Sequence, residues 1–181
     1  MKRRMHSFKS LFFMFFIFYM IWIFLLFLAP FAVSSGSVSN LSGVVGFSDN
    51  VAVFDDLPFP WNAVYSLGDH FCHQKPERSL FFNGNEMPFC TRCTAIWLGL
   101  AFGLGFMVLY TIELNEKFFL AIILSFIPLG VDGIGQLFGF WESTNTVRIL
   151  TGFPAGMICG VAVGIIVDEI RSLRIFNKIK T

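Results

Sequence analysis

The sequence predicts an all-α fold: a polytopic membrane helical bundle of four spans, three of them tightly packed and glycine-rich and one an N-terminal anchor, with a short Cys/His-containing external segment. Hydrophobic residues make up 55 % of the 181 positions and charged residues 14 %, more apolar surface than a soluble domain of this size can bury. Four apolar stretches each approach the roughly 20 residues that cross a bilayer as a helix. Small residues recur at every fourth position in the later stretches, a spacing that lets membrane helices touch.

The four predicted spans cover residues 11–33, 95–112, 118–140 and 147–167. Each is expected to be helical, because lipid offers the backbone no hydrogen-bonding partner. The first follows a basic N-terminus, and its apolar run is longer than that of a cleaved signal. We therefore interpret residues 1–33 as a membrane anchor, with a signal peptide as the alternative. This span has no glycine and is rich in Phe, Ile and Leu, so we expect it at the rim of the bundle, facing lipid.

The basic residues predict the orientation. They cluster before the first span, at Lys2, Arg3, Arg4 and Lys9, and after the last, at Arg171, Arg174, Lys178 and Lys180. Since basic flanks stay on the cytoplasmic side, we expect a multi-pass plasma-membrane protein with both termini in the cytoplasm and residues 168–181 as a basic cytoplasmic tail. Residues 34–66, rich in Ser and Gly, would form a flexible external tether. Residues 67–167 would unite the extracytoplasmic Cys/His segment with three spans.

Small residues follow one helical face in each of the last three spans. The sets with this spacing are Gly152, Gly156, Gly160 and Gly164, then Ala95, Gly99 and Gly103, and finally Gly135 and Gly139. Such faces suit close packing inside the bundle and also offer a surface for a homo-oligomer. The lipid bilayer is the expected partner. Nucleic acid is not, because the formal net charge is only +1 and no basic run alternates with aromatics.

Three of the four cysteines precede or open the second span, close to two histidines. Cys90 and Cys93 have the spacing of a zinc half-site. An Asn-Gly turn at residues 83–84 predicts a hairpin that would bring the earlier cysteine to them. The first hypothesis is therefore a site for zinc or a similar metal formed by Cys72, His73, Cys90 and Cys93, with His70 as the alternative nitrogen ligand.

Other interpretations stay open. A Cys90–Cys93 pair at a helix start beside Arg92 would have a lowered thiol pKa and suits a membrane thiol-disulfide oxidoreductase. A static disulfide in an oxidising compartment would leave one cysteine unused. A third class, an oligomeric channel or transporter component, depends on Asp132 within the third span. The sequence does not decide whether the protein is an enzyme.

Charged and amide side chains accompany the cysteines. Asp132 is costly in a membrane helix and is expected to pair with Arg148 or Arg92, although such a pair could serve only to fix helix register. The candidates for catalytic roles are Cys90, Cys93, Asp132 and Arg148. The supporting positions around them are Gln74, Glu77, Arg78, Arg92, Asp132, Gln136, Glu142 and Arg148. Arg78 and Arg92 would offset the negative charge of the thiolates.

The same residues carry a family resemblance. The pattern CHQxPERS at residues 72–79, the turn at 83–84, PxCxRCT at 88–94 and the glycine-rich last span resemble an integral-membrane family known as domain of unknown function 2085, found mainly in archaea and in some bacteria. The resemblance covers residues 67–167, with Ala95 where a family glycine is expected. It implies a multi-span prokaryotic membrane protein and supplies no activity. Metal ligation by the cysteines is an inference from the residues alone.

Overall fold

The computed structural model describes residues 2–3 and 9–179, and the side chains of residues 13–170. The helices in this part of the chain are α1 (Lys9–Ala32), α2 (Val51–Phe54), α3 (Trp61–Phe71), α4 (Thr91–Leu109), α5 (Glu116–Leu137) and α6 (Asn145–Ile179), with a 3-10 turn at Pro76–Arg78. Two-residue strands form two antiparallel pairs: β1 (Lys2–Arg3) with β4 (Tyr110–Thr111), and β2 (Phe81–Phe82) with β3 (Asn85–Glu86).

Four helices are long and apolar enough to cross a membrane, over Phe13–Ala32, Thr91–Leu109, Glu116–Leu137 and Asn145–Ile170. The mostly helical fold with four candidate spans, one of them near the N-terminus, is therefore confirmed. Short polar side chains cap the last two helices, as expected at helix N-termini. Asn115 accepts a hydrogen bond from the Phe118 N–H (3.0 Å) before α5, and Thr144 accepts one from the Val147 N–H (3.3 Å) before α6.

Helices α4 and α6 form the most extensive helix–helix contact among the described residues. A Cβ atom added at Gly99 or Gly103 would overlap a carbonyl oxygen of α6, and one added at Gly156 or Gly160 would overlap a carbonyl oxygen of α4. The regularly spaced small residues thus let two backbones touch. Both of these faces are therefore in contact within the chain, and a homo-oligomer through glycine-rich faces stays a prediction.

Helix α1 packs against α4 and divides into two halves. Its first half exposes apolar side chains such as Phe18, 64 % exposed, which suits contact with lipid. Its second half buries Leu26 and Ala29 completely, and Trp22 lies against Trp97 of α4 with ring centroids 5.9 Å apart. The expected rim position therefore holds for the first half only. The second half is covered because residues that follow α1 in the chain share its apolar core.

Several apolar residues within 34–66 pack onto the bundle, although the composition of this segment predicts a flexible tether. Val38, Leu41 and Phe54 are at most 2 % exposed and belong to one core with the second half of α1 and with Cys72. A Ser/Gly-rich composition does not reveal this packing, because three spaced apolar residues suffice for it and their partners lie far along the chain. The segment helps to hold the cysteines over one end of the bundle, which we call the cysteine end.

Candidate metal centre

Three cysteines meet where α3 ends and α4 begins. Cys72 directly follows α3, Cys90 directly precedes α4, and Cys93 lies in the first turn of α4. Their sulfur atoms all lie within 4.8 Å of one another. The Sγ atoms of Cys72 and Cys93 are 3.5 Å apart, and the Cys90 N–H donates a hydrogen bond to the Cys72 sulfur (3.3 Å). All three are free cysteines, Cys72 fully buried and the other two partly buried.

A hairpin connects the two parts of this cluster. Asn83 and Gly84 have positive φ angles of 51° and 74°, the left-handed conformation that tight hairpin turns require and that Asn-Gly supplies at low cost. The Met87 N–H donates to the Leu80 carbonyl (2.9 Å), which continues the pairing of β2 with β3. The turn predicted from the Asn-Gly pair is therefore present, and it returns the chain from Cys72 to α4.

The thiols share hydrogen bonds. Those from the Cys72 and Cys93 thiols lower the pKa of Cys90 well below its ordinary value, although burial opposes the charged form. Cys90 also stands immediately before α4, where the helix N-terminus favours negative charge. These effects favour a thiolate at Cys90, and a thiolate is the species that binds a metal.

Neither histidine lies among the thiols. The described group of sulfur, imidazole and carboxylate atoms within 4.8 Å contains the three cysteines and no histidine. Cys72 has an extended backbone (φ −139°, ψ 150°), so successive side chains point in opposite directions. Cys72 and Gln74 are accordingly buried, and His73 between them is exposed. His70, in the last turn of α3, is also exposed, with its ring against Phe71 (4.9 Å).

Gln74 serves the hairpin and not the thiols. Its Nε2 donates to the Pro88 carbonyl (2.7 Å), and the side chain is fully buried. Pro88 lies two residues before Cys90, so this bond ties the strand after Cys72 to the approach to α4. Gly68 of α3 packs against the same carbonyl so closely that a Cβ atom there would overlap it. The arrangement of the cysteines thus depends on a close backbone contact supported by one amide side chain.

A second polar group begins at Arg92, between the two cysteines of α4. Arg92 forms an ion pair with Asp132 of α5, which settles the choice between the two predicted partners of this aspartate. Asp132 also accepts hydrogen bonds from Ser143 Oγ (3.0 Å) and Trp141 Nε1 (3.4 Å). With three donors and only 5 % exposure, its carboxylate is satisfied within the protein. This arrangement favours a role in helix register over one in a transport pathway.

The loop between α5 and α6 joins this group to the segment after Cys72. Glu142, with a side chain 72 % exposed, lies 3.6 Å from Arg78 and 3.8 Å from Arg148, and it accepts a hydrogen bond from Gln136 Nε2 (2.9 Å). Arg148 Nη1 donates to the Glu77 carbonyl (3.0 Å). The structure therefore brings the predicted arginines and acids together at the cysteine end, with Glu77 contributing its backbone oxygen while its side chain is exposed.

A set of buried polar residues in the hairpin is not among the candidates that the sequence motifs indicate. Asn85 accepts a hydrogen bond from the Val38 N–H (2.9 Å) and donates to the Pro30 carbonyl (2.8 Å). Glu86 accepts one from the Leu41 N–H (3.0 Å), and its own carbonyl accepts the Tyr65 hydroxyl (2.8 Å). Burial raises the pKa of Glu86 above its ordinary value. The signal in the sequence is a short strand, Asn85–Glu86, that is polar on both faces.

Comparisons with known proteins place these residues in a wider group. A family model described as predicted membrane protein (DUF2085) matches residues 72–163, just over half of the chain. An uncharacterised protein of Methanothermobacter thermautotrophicus is 40 % identical over 94 residues, 52 % of this chain and 83 % of that protein. An uncharacterised protein of Methanocaldococcus jannaschii is 42 % identical over 101 residues, 52 % of this chain and 60 % of that protein. No solved structure matches.

Proposed function

Because this chain belongs to the DUF2085 family of predicted membrane proteins, we propose that it is a multi-pass membrane protein that binds zinc or a similar soft metal ion through Cys72, Cys90 and Cys93. The observation that carries the proposal is the approach of three sulfur atoms to within 4.8 Å of one another. Zinc–sulfur bonds of about 2.3 Å in a tetrahedral site separate the sulfurs by about 3.8 Å. The cluster is therefore close to the size that such an ion requires.

The surrounding charges support the proposal. Three thiolates and one divalent ion together carry one negative charge, which a partly buried site must offset. Arg92 lies between Cys90 and Cys93, and Arg148 interacts electrostatically with Cys90. Thiolate ligands without nitrogen favour soft ions such as zinc or copper(I) over magnesium or calcium. With three protein ligands, the fourth position on a zinc ion would be taken by water or another small ligand.

Metal analysis of the purified full chain tests the proposal. The protein is prepared in detergent with a reductant and without chelator, loaded with zinc and desalted. We expect about one zinc ion per chain in the wild type and in Cys159→Ser, whose cysteine lies apart from the cluster on α6. We expect almost none in the double variant Cys90→Ser, Cys93→Ser, with helix content checked by circular dichroism. Equal, near-zero zinc in all three proteins would overturn the proposal.

The proposal includes the side of the membrane. Basic residues flank both termini, and four spans return the chain to the side on which it began, so the cysteine end would face away from the cytoplasm. The exposed residue Ser66 offers a test in a chain whose native cysteines are changed to serine. A membrane-impermeant thiol reagent should label Ser66→Cys in intact cells. Labelling that occurs only after the cells are lysed would put the metal site on the cytoplasmic side.

A second candidate function is thiol-disulfide exchange, favoured by the 3.5 Å distance between the Cys72 and Cys93 sulfurs. The reacting pair would then be Cys72 and Cys93, not the Cys90–Cys93 pair that the sequence suggests. In this reaction the two thiols form one disulfide, a partner disulfide becomes two thiols, and two electrons and two protons pass to the partner. Oxidised glutathione can serve as the partner, with alkylation and peptide mass mapping as readout. Thiols that stay fully alkylatable in metal-free protein would rule this function out.

A further inference from the structure

Three arginines meet beside the cysteines: Arg78 from the turn after Cys72, Arg92 from the first turn of α4 and Arg148 from the first turn of α6. We call them the arginine cluster. Arg148 is 1 % exposed, and its Nη2 has no hydrogen-bond partner among the described residues. The Nε atoms of Arg78 and Arg92 are likewise buried without a partner in the described part of the chain. Three elements thus each contribute a guanidinium donor without an acceptor.

The carboxylates near the arginine cluster do not neutralise its three positive charges. Asp132 pairs with Arg92 and is further occupied by two neutral donors, Ser143 and Trp141. The other acid is Glu142, whose oxygens lie 3.6 Å from Arg78 and 3.8 Å from Arg148. Both distances exceed that of a normal hydrogen bond, and an exposed carboxylate at such a distance contributes little. Three guanidinium groups therefore face two carboxylates, of which only one is closely paired, and the Cys90 thiol is the other acidic group that acts on Arg148.

Buried donors of this kind normally have an acceptor. An unpaired polar group in the interior costs free energy, more so when it is charged, and an exception calls for an explanation such as a bound ion. Arg148 also lies in the first turn of α6, whose N-terminus adds positive potential. Guanidinium groups match the spacing of oxygen atoms in oxyanions. Donors arriving from three directions suit an acceptor with more oxygens than a carboxylate offers.

We propose that the arginine cluster binds a tetrahedral oxyanion, a phosphate or sulfate group, and that Glu142 is the carboxylate with which this anion competes. Glu142 is solvent-exposed and lies next to Arg78 and Arg148, so an anion that binds these two arginines would replace it. Either the solution or the headgroup of a lipid can supply the oxyanion, since the cluster lies at the end of four candidate membrane spans. This site does not depend on a metal at the thiols.

Phosphate titration of the purified full chain tests the proposal. The protein is kept in a maltoside detergent and phosphate-free buffer, and inorganic phosphate is added while binding is followed by calorimetry. Arg78→Gln and Arg148→Gln should each weaken binding roughly tenfold or more, since each removes a charged donor. Lys75→Gln, which removes a nearby charge outside the cluster, should change affinity less than about twofold. If Arg148→Gln fails to fold, Arg78→Gln carries the test, because Arg78 is more exposed.

The variant Glu142→Gln separates anion binding from a purely structural role. Removing the competing carboxylate should tighten phosphate binding several-fold, whereas general damage to this end of the protein would weaken it. Dioctanoyl phosphatidic acid is titrated in parallel. Binding of this lipid without binding of inorganic phosphate would support the site and identify a lipid headgroup as its ligand. No binding of phosphate, sulfate or this lipid, or an equal loss in Lys75→Gln and Arg78→Gln, would overturn the proposal.

Zinc removal keeps this proposal distinct from the metal site. Phosphate should bind the chelator-treated, zinc-free wild type within about twofold of its affinity for the zinc-loaded protein, so the arginine site would stand even if no zinc were found in the wild type. Loss of phosphate binding on zinc removal, with recovery when zinc is added back, would show that the anion binds at the metal and would overturn the arginine assignment.

Discussion

Helix α4 is held in two different ways along its length. In its middle, Gly99 and Gly103 lie against the backbone of α6, and the contact consists of atoms packed without intervening side chains. In its first turn, Arg92 and Cys93 reach other elements through ion pairs, hydrogen bonds and sulfur contacts. Close packing leaves no room for change, because the atoms nearest to both glycines belong to the backbone of α6. Polar groups can exchange one partner for another, as a site that binds ions must.

This difference fits the position of both proposed binding sites. The α4–α6 contact fixes the position of both helix N-termini, and the first turns of these helices carry Cys93 and Arg148. A rigid support of this kind keeps the thiols and guanidinium groups at fixed separations, which reduces the cost of binding. The cysteine end would lose its geometry if the glycine contact opened by even one methyl group.

Adding a methyl group to the glycine contact should have the largest effect. Gly156→Ala places a Cβ atom onto the Ile96 carbonyl, and overpacking of this kind costs about 1–3 kcal/mol or more. Gly130→Ala is the matched control, since a Cβ atom at Gly130 on α5 meets nothing within 4 Å, and alanine there should be neutral or stabilising by up to about 1 kcal/mol. Reversible unfolding in mixed micelles measures the unfolding free energy of both variants. Equal effects of the two substitutions would show that the contact is looser than the structure indicates.

The ion pair at the first turn should come next. Asp132→Asn keeps the shape of the side chain but removes the charge opposite Arg92, which is 21 % exposed. Because water can partly solvate this arginine, we expect a loss of about 1–3 kcal/mol, at or below the low end for fully buried pairs. Zinc content should fall with it if Arg92 orients the neighbouring cysteines. Full stability together with full zinc binding would mean that the ion pair is needed neither for folding nor for metal binding.

Much of this architecture could be predicted because it depends on local sequence. The spans follow from runs of apolar residues, and the packing faces of α4 and α6 follow from the spacing of glycine. The Asn-Gly turn predicts the hairpin that joins the cysteines. Each of these signals is contained in a few neighbouring residues, and each is an intrinsic preference of the backbone in lipid or in a tight turn.

The parts that could not be predicted depend on conformation at one residue or on distant partners. Whether His73 joins Cys72 depends on the extended backbone between them, which turns adjacent side chains to opposite sides. The choice of Arg92 over Arg148 as partner of Asp132 depends on how three helices meet. The packing of residues 34–66 depends on Asn85 and Glu86, more than forty positions along the chain, and no local pattern reports such a contact.

The smallest expected effect concerns Glu86 and has a definite dependence on pH. Burial raises its pKa in the folded state, so the folded protein holds a proton that the unfolded chain releases above its ordinary pKa of about 4.3. The stabilisation from Glu86 is therefore fully present below that value and is lost as pH rises through the folded-state pKa.

Glu86→Gln keeps a group that accepts from the Leu41 N–H and removes this titration. The variant should match the wild type in acid and equal or exceed its unfolding free energy at neutral pH, measured in mixed micelles across that range. A wild type that instead gains stability relative to Glu86→Gln as pH rises would show that Glu86 is charged when folded, and that the segment after α1 is held by a carboxylate.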